Sequence, residues 1–350
     1  MSDYGYLNAR VRAMSTQLLP ARLYDRLLAA PGEEEALDIL HGTAYDGDLV
    51  QAFTTGRGTP AIESALGRNL SACFARLLSL ASEEPRRLLT VQLSRWDAEA
   101  VIAILRGKAT AADPAEIRAA ILPCGLAGEA ELAELASAPD LAGFSAALAA
   151  WGYPFAARLR RTVAAAGWTA ELALLESSVN DAWFAWALEQ LDPGEPQEAV
   201  VLRMVRRQVD LANVKSALDA VRHRAAGEPV ADRPLLAGGL LERAVLRAVA
   251  RAPGIVEAFE ALEGSYFSAG IEKGILAFGL TGSLGAIERF LESVVIGAGW
   301  RLFRSDPLGI GVALGFLWRK YSEFLNLRIL LRGKSFGMPA NAMRKEMLIA

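Results

Sequence analysis

The sequence predicts an all-α protein made of three similar helical units, and three observations lead to that expectation. Convincing runs of alternating β-branched residues are absent, while apolar residues recur at helical spacing almost throughout. One helical stretch occurs three times, over residues 97–108, 210–221 and 323–334, and its opening acids Asp97, Asp210 and Glu323 stand at equal intervals of 113 residues. Residues 121–148 also align without a gap on 235–262, pairing Gly125-Leu126 with Gly239-Leu240, Leu132 with Leu246, Pro139 with Pro253 and Leu148 with Leu262.

Each repeated stretch has the chemistry of a helix. Val101, Ile104 and Leu105 recur as Val214, Ala217 and Leu218 and again as Leu327, Leu330 and Leu331, an i, i+3, i+4 stripe on a surface with 3.6 residues per turn. An acid opens each copy, where it favours the positive end of the helix dipole. Gly107 and Gly333 are expected to close two of the copies as left-handed C-caps.

The other elements follow in order. A first helix is expected from Tyr4 toward Leu18, stopping before Pro20, and a second over 21–28, ended by Pro31-Gly32. Glu33, Glu34 and Glu35 start a third. Residues 41–48 read as a turn, and a long helix over 60–80 carries Ile62, Leu66, Leu70, Phe74 and Leu77 as its stripe. After the first repeated helix come a break at Asp113-Pro114, another at Pro123, and helices over 129–137 and 141–150. Residues 192–196 and 227–234 read as loops, and a short helix over 339–349 closes the chain. The units are placed at 1–154, 155–269 and 270–350, the third completed in part by the N-terminal segment.

Composition narrows the function. The 350 residues can bury large apolar surfaces in two or three domains, and 53% of them are hydrophobic against 22% charged. A net charge of −3 gives no general attraction to nucleic acid. Cys73 and Cys124 are the only cysteines, so no disulfide framework is indicated and a reducing compartment fits. The opening Met-Ser-Asp-Tyr-Gly-Tyr lacks a basic segment followed by an apolar one, so no secretory leader is expected. No stretch reaches the roughly 20 apolar residues of a membrane span.

The familiar catalytic patterns do not complete. Gly333-Lys334-Ser335 imitates the end of a phosphate loop, but Arg328 stands where its first glycine should be. The glycines at 309, 311 and 315 resemble a dinucleotide fingerprint without the preceding strand and read as close packing of an apolar helix. His41, near Asp38, Asp46 and Asp48, has no second His or Cys at ligand spacing. No catalytic residue, metal site or cofactor is expected. Two basic clusters, Arg158, Arg160 and Arg161 and then Arg203, Arg206 and Arg207, are candidate interfaces to an acidic protein surface. Trp183, Phe184 and Trp186 read as core.

With these stretches in hand, the chain resembles the C subunits of the bacterial and archaeal V/A-type rotary ATPases, which are related to the d subunit of the eukaryotic vacuolar enzyme. The likeness lies in the opening helix over 4–14, in Trp96-Asp97, and in Asp210 with Asn213-Val-Lys215. It is most specific in Pro307-Leu-Gly-Ile-Gly311 followed by Glu323, Asn326 and Arg328. The first copy departs from the pattern, with Ala100 and Ile102 where the others have Asn and Lys or Arg. The resemblance implies a non-catalytic, cofactor-free rotor subunit, an all-helical funnel of three units around a pseudo-threefold axis. Its partners would be the membrane proteolipid ring and the central-stalk subunits, and its place the cytoplasmic face of the membrane. There it would carry torque for ion transport coupled to ATP. Asn213, Asn326, Lys215 and Arg328 are expected to fix helices within units rather than touch partners. From the residues alone, an α-helical repeat adaptor in some other assembly is the alternative.

Overall fold

The computed structural model describes residues 4–153, 155–166, 172–228, 235–268, 271–282 and 284–348, and among them every regular element is a helix. The chain divides into two compact units, one of residues 1–186 with 302–350 and the other of residues 187–301. The unit boundaries expected at 154 and at 269–270, and most of the loop over 227–234, lie outside the described residues.

Helices α1 (Tyr4–Ser15), α2 (Ala21–Ala29) and α3 (Glu33–Leu40) form where the sequence places them, and α3 carries its three glutamates in the first turn. The turn expected over 41–48 is shorter, because α4 (Asp46–Thr55) begins inside it. Asp46 and Asp48 are not turn residues but the acidic first turn of that helix, where the dipole favours them. His41 ends the preceding turn with Nδ1 2.6 Å from Asp46 Oδ1, an exposed pair. In α5 (Gly58–Leu80) the whole predicted stripe from Ile62 to Leu77 is buried. Burying each such side chain contributes about 1.5–3 kcal/mol relative to leaving it in water.

The first repeated stretch lies in α6 (Glu83–Ala109), which is buried on most of its circumference. Asp113-Pro114 is a break that also starts α7 (Pro114–Ala120). The Asp113 carboxylate accepts from the Ala115 amide at 2.7 Å, and Glu116 accepts from the Asp113 amide at 3.4 Å. α8 (Glu129–Ser137) and α9 (Leu141–Ala150) have the predicted bounds, and α10 (Ala156–Ala166) and α11 (Leu172–Glu189) follow. Trp183 and Phe184 are core residues, and the Trp183 indole N–H donates to the Ser94 hydroxyl at 2.9 Å. Trp186 is half-buried.

The second repeated stretch lies in α12 (Pro196–Ala225), which starts on Pro196, whose missing N–H has no partner to lose at a first helical position. α13 (Arg243–Arg251), α14 (Ile255–Glu260), α15 (Ile271–Thr281) and α16 (Leu284–Ser305) follow. The third stretch lies in α17 (Gly311–Ser335), and α18 (Ala340–Glu346) closes the described chain. Thus α6, α12 and α17, with 27, 30 and 25 residues, carry the repeats and are about 37–45 Å long.

Gly107 and Gly333 are not C-caps, since α6 and α17 run two residues beyond them. They are glycine for another reason. A Cβ on Gly107 would stand 2.5 Å from Ile117 Cγ1 in α7, and one on Gly333 2.5 Å from Met343 Sδ in α18. Each admits the following short helix against the long one. Gly315, near the start of α17, admits the end of the preceding helix α16, since a Cβ there would stand 2.4 Å from the backbone nitrogen of Phe303.

Candidate functional site

The three acids that mark the repeat do not open helices at the positive end of a dipole, as expected, but lie inside α6, α12 and α17, where they perform one task. Asp97, in the middle of α6, accepts from the Leu126 amide at 2.9 and 3.0 Å and from the Ala127 amide at 2.9 Å. Asp210 in α12 accepts from the amides of Leu240 and Leu241 at 2.8 and 3.0 Å and from the Tyr266 hydroxyl at 3.0 Å. Glu323 in α17 accepts from the Leu19 amide at 2.6 Å, from the Tyr45 hydroxyl at 2.7 Å and from Lys320 Nζ at 2.7 Å. In each case the carboxylate holds the turn just ahead of a short helix, α8, α13 or α2.

Glycine and proline set how each clamp is filled. A Cβ on Gly125 would stand 2.1 Å from Asp97 Oδ1, and one on Gly239 2.0 Å from Asp210 Oδ1, so only glycine lets the acid reach the turn. The third clamp has Pro20 after Leu19 and therefore one fewer amide to offer. Tyr45 and Lys320 supply the missing donors, and Lys320 Nζ also lies 2.8 Å from the Tyr45 oxygen. Lys320 sits over the Tyr45 ring at 4.3 Å, as Arg207 sits over the Tyr266 ring at 4.4 Å.

Burial sets the electrostatics. Desolvation pushes the Asp97 carboxyl up to about 6, with the amides of Ala127 and Leu126 acting against it. The Asp210 carboxyl is raised by the same cause, opposed by the Leu240 amide, the Tyr266 hydroxyl, the Leu241 amide and Arg207. Burial also holds the Tyr45 hydroxyl well above its ordinary range, and the nearby Glu323 charge adds to this.

The far end of each short helix is held by a cation from the same long helix. Lys108 Nζ donates to the carbonyls of Ala136 and Ala138 at 3.0 and 2.6 Å. Arg224 donates to those of Ala250 and Ala252 at 3.0 and 3.4 Å. Lys334 donates to Leu28 at 2.8 Å and to Ala30. The last carbonyls of a helix lack intrahelical partners and carry the negative end of its dipole, so a cation there both satisfies and attracts them. Acid before the start and base after the end fix each short helix parallel to the C-terminal half of its long one. The third short helix comes from the opposite end of the chain, so α17 ties residues 19–45 to the C-terminal region.

The remaining predicted residues fall around these clamps. The Asn213 side chain exchanges two hydrogen bonds with the backbone of Leu236, at 3.0 and 2.8 Å, and Asn326 does the same with Leu348, at 3.1 and 2.6 Å. Lys215 reaches Glu292 at 2.9 Å and Glu288 at 3.4 Å. Burial alone would lower its pKa, and the two carboxylates outweigh that and raise it. Arg328 lies 3.8 Å from Glu63, which also binds Arg332. Ala100 and Ile102, which replace the Asn and the cation in the first copy, are buried apolar residues.

The basic clusters divide. Arg158 pairs with Asp181 at 3.2 Å, and Arg160 and Arg161 are exposed beside it. Arg203 is exposed, Arg206 half-buried, and Arg207 is committed to Tyr266. The two clusters lie on different helices, α10 and α12.

Sequence reasoning missed the partners of the acids because, Lys320 apart, they are main-chain amides and hydroxyls 29 to 304 residues away. The Gly125-Leu126 and Gly239-Leu240 match was the available signal. None of these groups forms a catalytic set. Beside the third clamp, a cleft of about 490 Å³ is lined by residues 16–20 and 42–44 with Arg22, Leu23 and Arg26, and it holds no carboxylate or imidazole to pair as acid and base. Among the described residues no cluster of His, Cys, Asp or Glu has metal-binding geometry, and no helix is long and apolar enough to cross a membrane. Large apolar side chains are exposed at both ends of α17, Leu308 at 84% before its start and Phe336 at 81% after its end.

Residues 7–346 match the family described as ATP synthase (C/AC39) subunit. The chain is 26% identical to the C subunit of the V-type ATP synthase of Deinococcus radiodurans, over 98% of this chain and 91% of that one. It is 28% identical to the C subunit of the V-type ATP synthase of Thermus thermophilus, over 99% and 98%. It is 26% identical to the C subunit of the A-type ATP synthase of Methanosarcina mazei, over 99% and 93%. A match of this length, over all three clamps, places the chain: it belongs to the ATP synthase (C/AC39) subunit family, that of the V/A-type ATP synthase C subunits.

Proposed function

We propose that this chain is the non-catalytic rotor subunit that joins the central stalk of a V/A-type ATP synthase to its membrane proteolipid ring. One observation carries the reading: the same acid-and-cation clamp recurs three times, and the third is made by joining the two end regions of the chain. Three equivalent units, near 1–154, 155–269 and 270–350, suit a closed funnel around a pseudo-threefold axis better than an open row, whose end units would stay uncompleted. A part that carries torque needs stiffness more than chemistry. Here the ionisable groups of the clamps are spent on the chain's own backbone. Leu308 and Phe336, at opposite ends of a helix about 37 Å long, offer apolar contacts at two separated places, as a spacer between two partners requires. The seat of such a part is the cytoplasmic face of the membrane, held there by its partners.

The test is recovery of the tagged chain from gently solubilised membranes of its own cell, followed by crosslinking from positions 308 and 336. We expect ring and stalk subunits to co-purify, with the two positions reaching different subunits. Recovery of neither would remove the reading and favour an adaptor in another assembly.

A further inference from the structure

We propose that the outward face of α13 is a docking surface for an acidic α-helix of a partner protein. Arg243, Arg247 and Arg251 stand at i, i+4 and i+8, one stripe with about 6 Å of rise between neighbours. All three are exposed, and none has an acid partner among the described residues. The opposite face buries Leu246 and Val249, which fixes which way the arginines point. The residues flanking the stripe are alanines, Ala244 and Ala248 exposed and Ala250 half-buried.

The repeat supplies a control within the molecule. The positions equivalent to 243, 247 and 251 are Glu129, Ala133 and Ser137 in α8, and Ala21, Asp25 and Ala29 in α2. Asp25 is engaged by Arg344 at 2.6 Å. A stripe of three like charges is therefore no requirement of this helix or its clamp, and like charges four apart oppose helix formation. An unpaired, unrepeated cationic stripe on one of three equivalent helices fits a use outside the chain.

The chemistry of the stripe selects its occupant. Three guanidinium forks at this spacing match carboxylates repeating every four residues on another helix, each able to take a two-point hydrogen bond. The alanines between them let a helix approach closely. They also leave nothing large and apolar to enter a bilayer, which argues against a lipid surface as the occupant. The inference goes beyond the rotor reading and does not depend on which subunits the chain meets.

The experiment uses the full tagged chain with a benzophenone side chain at position 248, irradiated in membranes of its own cell, with the adducts located by mass. A second form adds Arg243→Glu, Arg247→Glu and Arg251→Glu, and its melting curve is checked against the parent. We expect one adduct on an Asp- and Glu-rich helical segment of another protein, reduced roughly tenfold or more by the three substitutions. We also expect it to weaken with salt as exposed charges are screened, over about 8 Å at physiological ionic strength. An adduct on lipid alone, on a segment without acids, or undiminished in the substituted form overturns the proposal. So does no adduct. An acidic-helix adduct at 248 with neither ring nor stalk subunits recovered would keep this surface and remove the rotor reading. ATP synthase subunits recovered without an adduct at 248 would do the reverse.

Discussion

Asp97 Oδ1 lies 2.9 Å from the amide nitrogen of Ala127, thirty residues further along the chain, and the two anchor α8 to α6. The carboxyl is buried, and burial raises it from 3.8 to about 6. The folded protein therefore binds this proton more tightly than the unfolded chain does. The group favours folding most below about pH 4, and that contribution is lost as pH rises through about 6, by roughly 3 kcal/mol at most. In Asp97→Asn this dependence should vanish. The unfolding free energy of the wild type relative to the variant, from urea titrations at pH 4.5 and 7, should fall with rising pH. A difference that does not change with pH contradicts the assignment.

Gly239→Ala should destabilise the protein more than a helix-surface substitution does. Its Cβ would meet Asp210 Oδ1 at 2.0 Å, so either the acid leaves the Leu240 and Leu241 amides or the turn moves. Either outcome strands a buried polar group, at about 1–3 kcal/mol. Gly264→Ala is the comparison, where a Cβ meets nothing within 4 Å and only the φ of 79° is unfavourable. A melting temperature lowered by no more at 239 than at 264 would show that the close approach does not matter.

The equal spacing of Asp97, Asp210 and Glu323 was legible in the sequence because the acids are side chains on helices of similar pattern. Their purpose was not legible, since amides carry no residue signature and any residue but proline supplies one. The exception is instructive. Gly125 and Gly239 mark the amide side, but the third copy has no glycine there, and its match lies at the other end of the chain, where a search by fixed offset does not look. Gly107 and Gly333 misled for the opposite reason, because a glycine that admits a neighbouring helix and one that ends a helix look alike in sequence.

Asn326→Ala and Asn213→Ala should each cost about 1–3 kcal/mol, since the first strands the Leu348 amide, while the Leu348 carbonyl keeps the Ser322 hydroxyl, and the second removes the partners of both the amide and the carbonyl of Leu236. Hydrogen exchange at Leu348 and Leu236 should accelerate in the respective variants, and each change should stay local to its own copy. The first copy, with Ala100 at this position, shows that the unit folds without the bond. Unchanged exchange at Leu348 in Asn326→Ala would mean that the side chain does not hold the turn.

The Lys320–Glu323 pair is the most buried ion pair of the molecule among the described residues, at 2.7 Å with side chains 5% and 3% exposed. Replacing one partner leaves the other as an uncompensated charge, so Lys320→Met alone should cost about 3–5 kcal/mol. Glu323→Gln alone loses the pair and one of the two hydrogen bonds, from Leu19 and Tyr45, that the two carboxylate oxygens accept. In the double variant Lys320→Met, Glu323→Gln no charge remains buried, and the Gln carbonyl still accepts one hydrogen bond. The double variant should thus be more stable than the sum of the single losses predicts, with a coupling of about 1 kcal/mol or more, on the order seen for residues in one network. Tyr45→Phe separates the hydroxyl from the charge, and should cost less than either charge removal while leaving the coupling intact. Urea unfolding of the four-member cycle, run with Tyr45 and again with Tyr45→Phe, measures all of these. Additive losses would mean that Lys320 and Glu323 act independently, each satisfied by the backbone and Tyr45 rather than by the other.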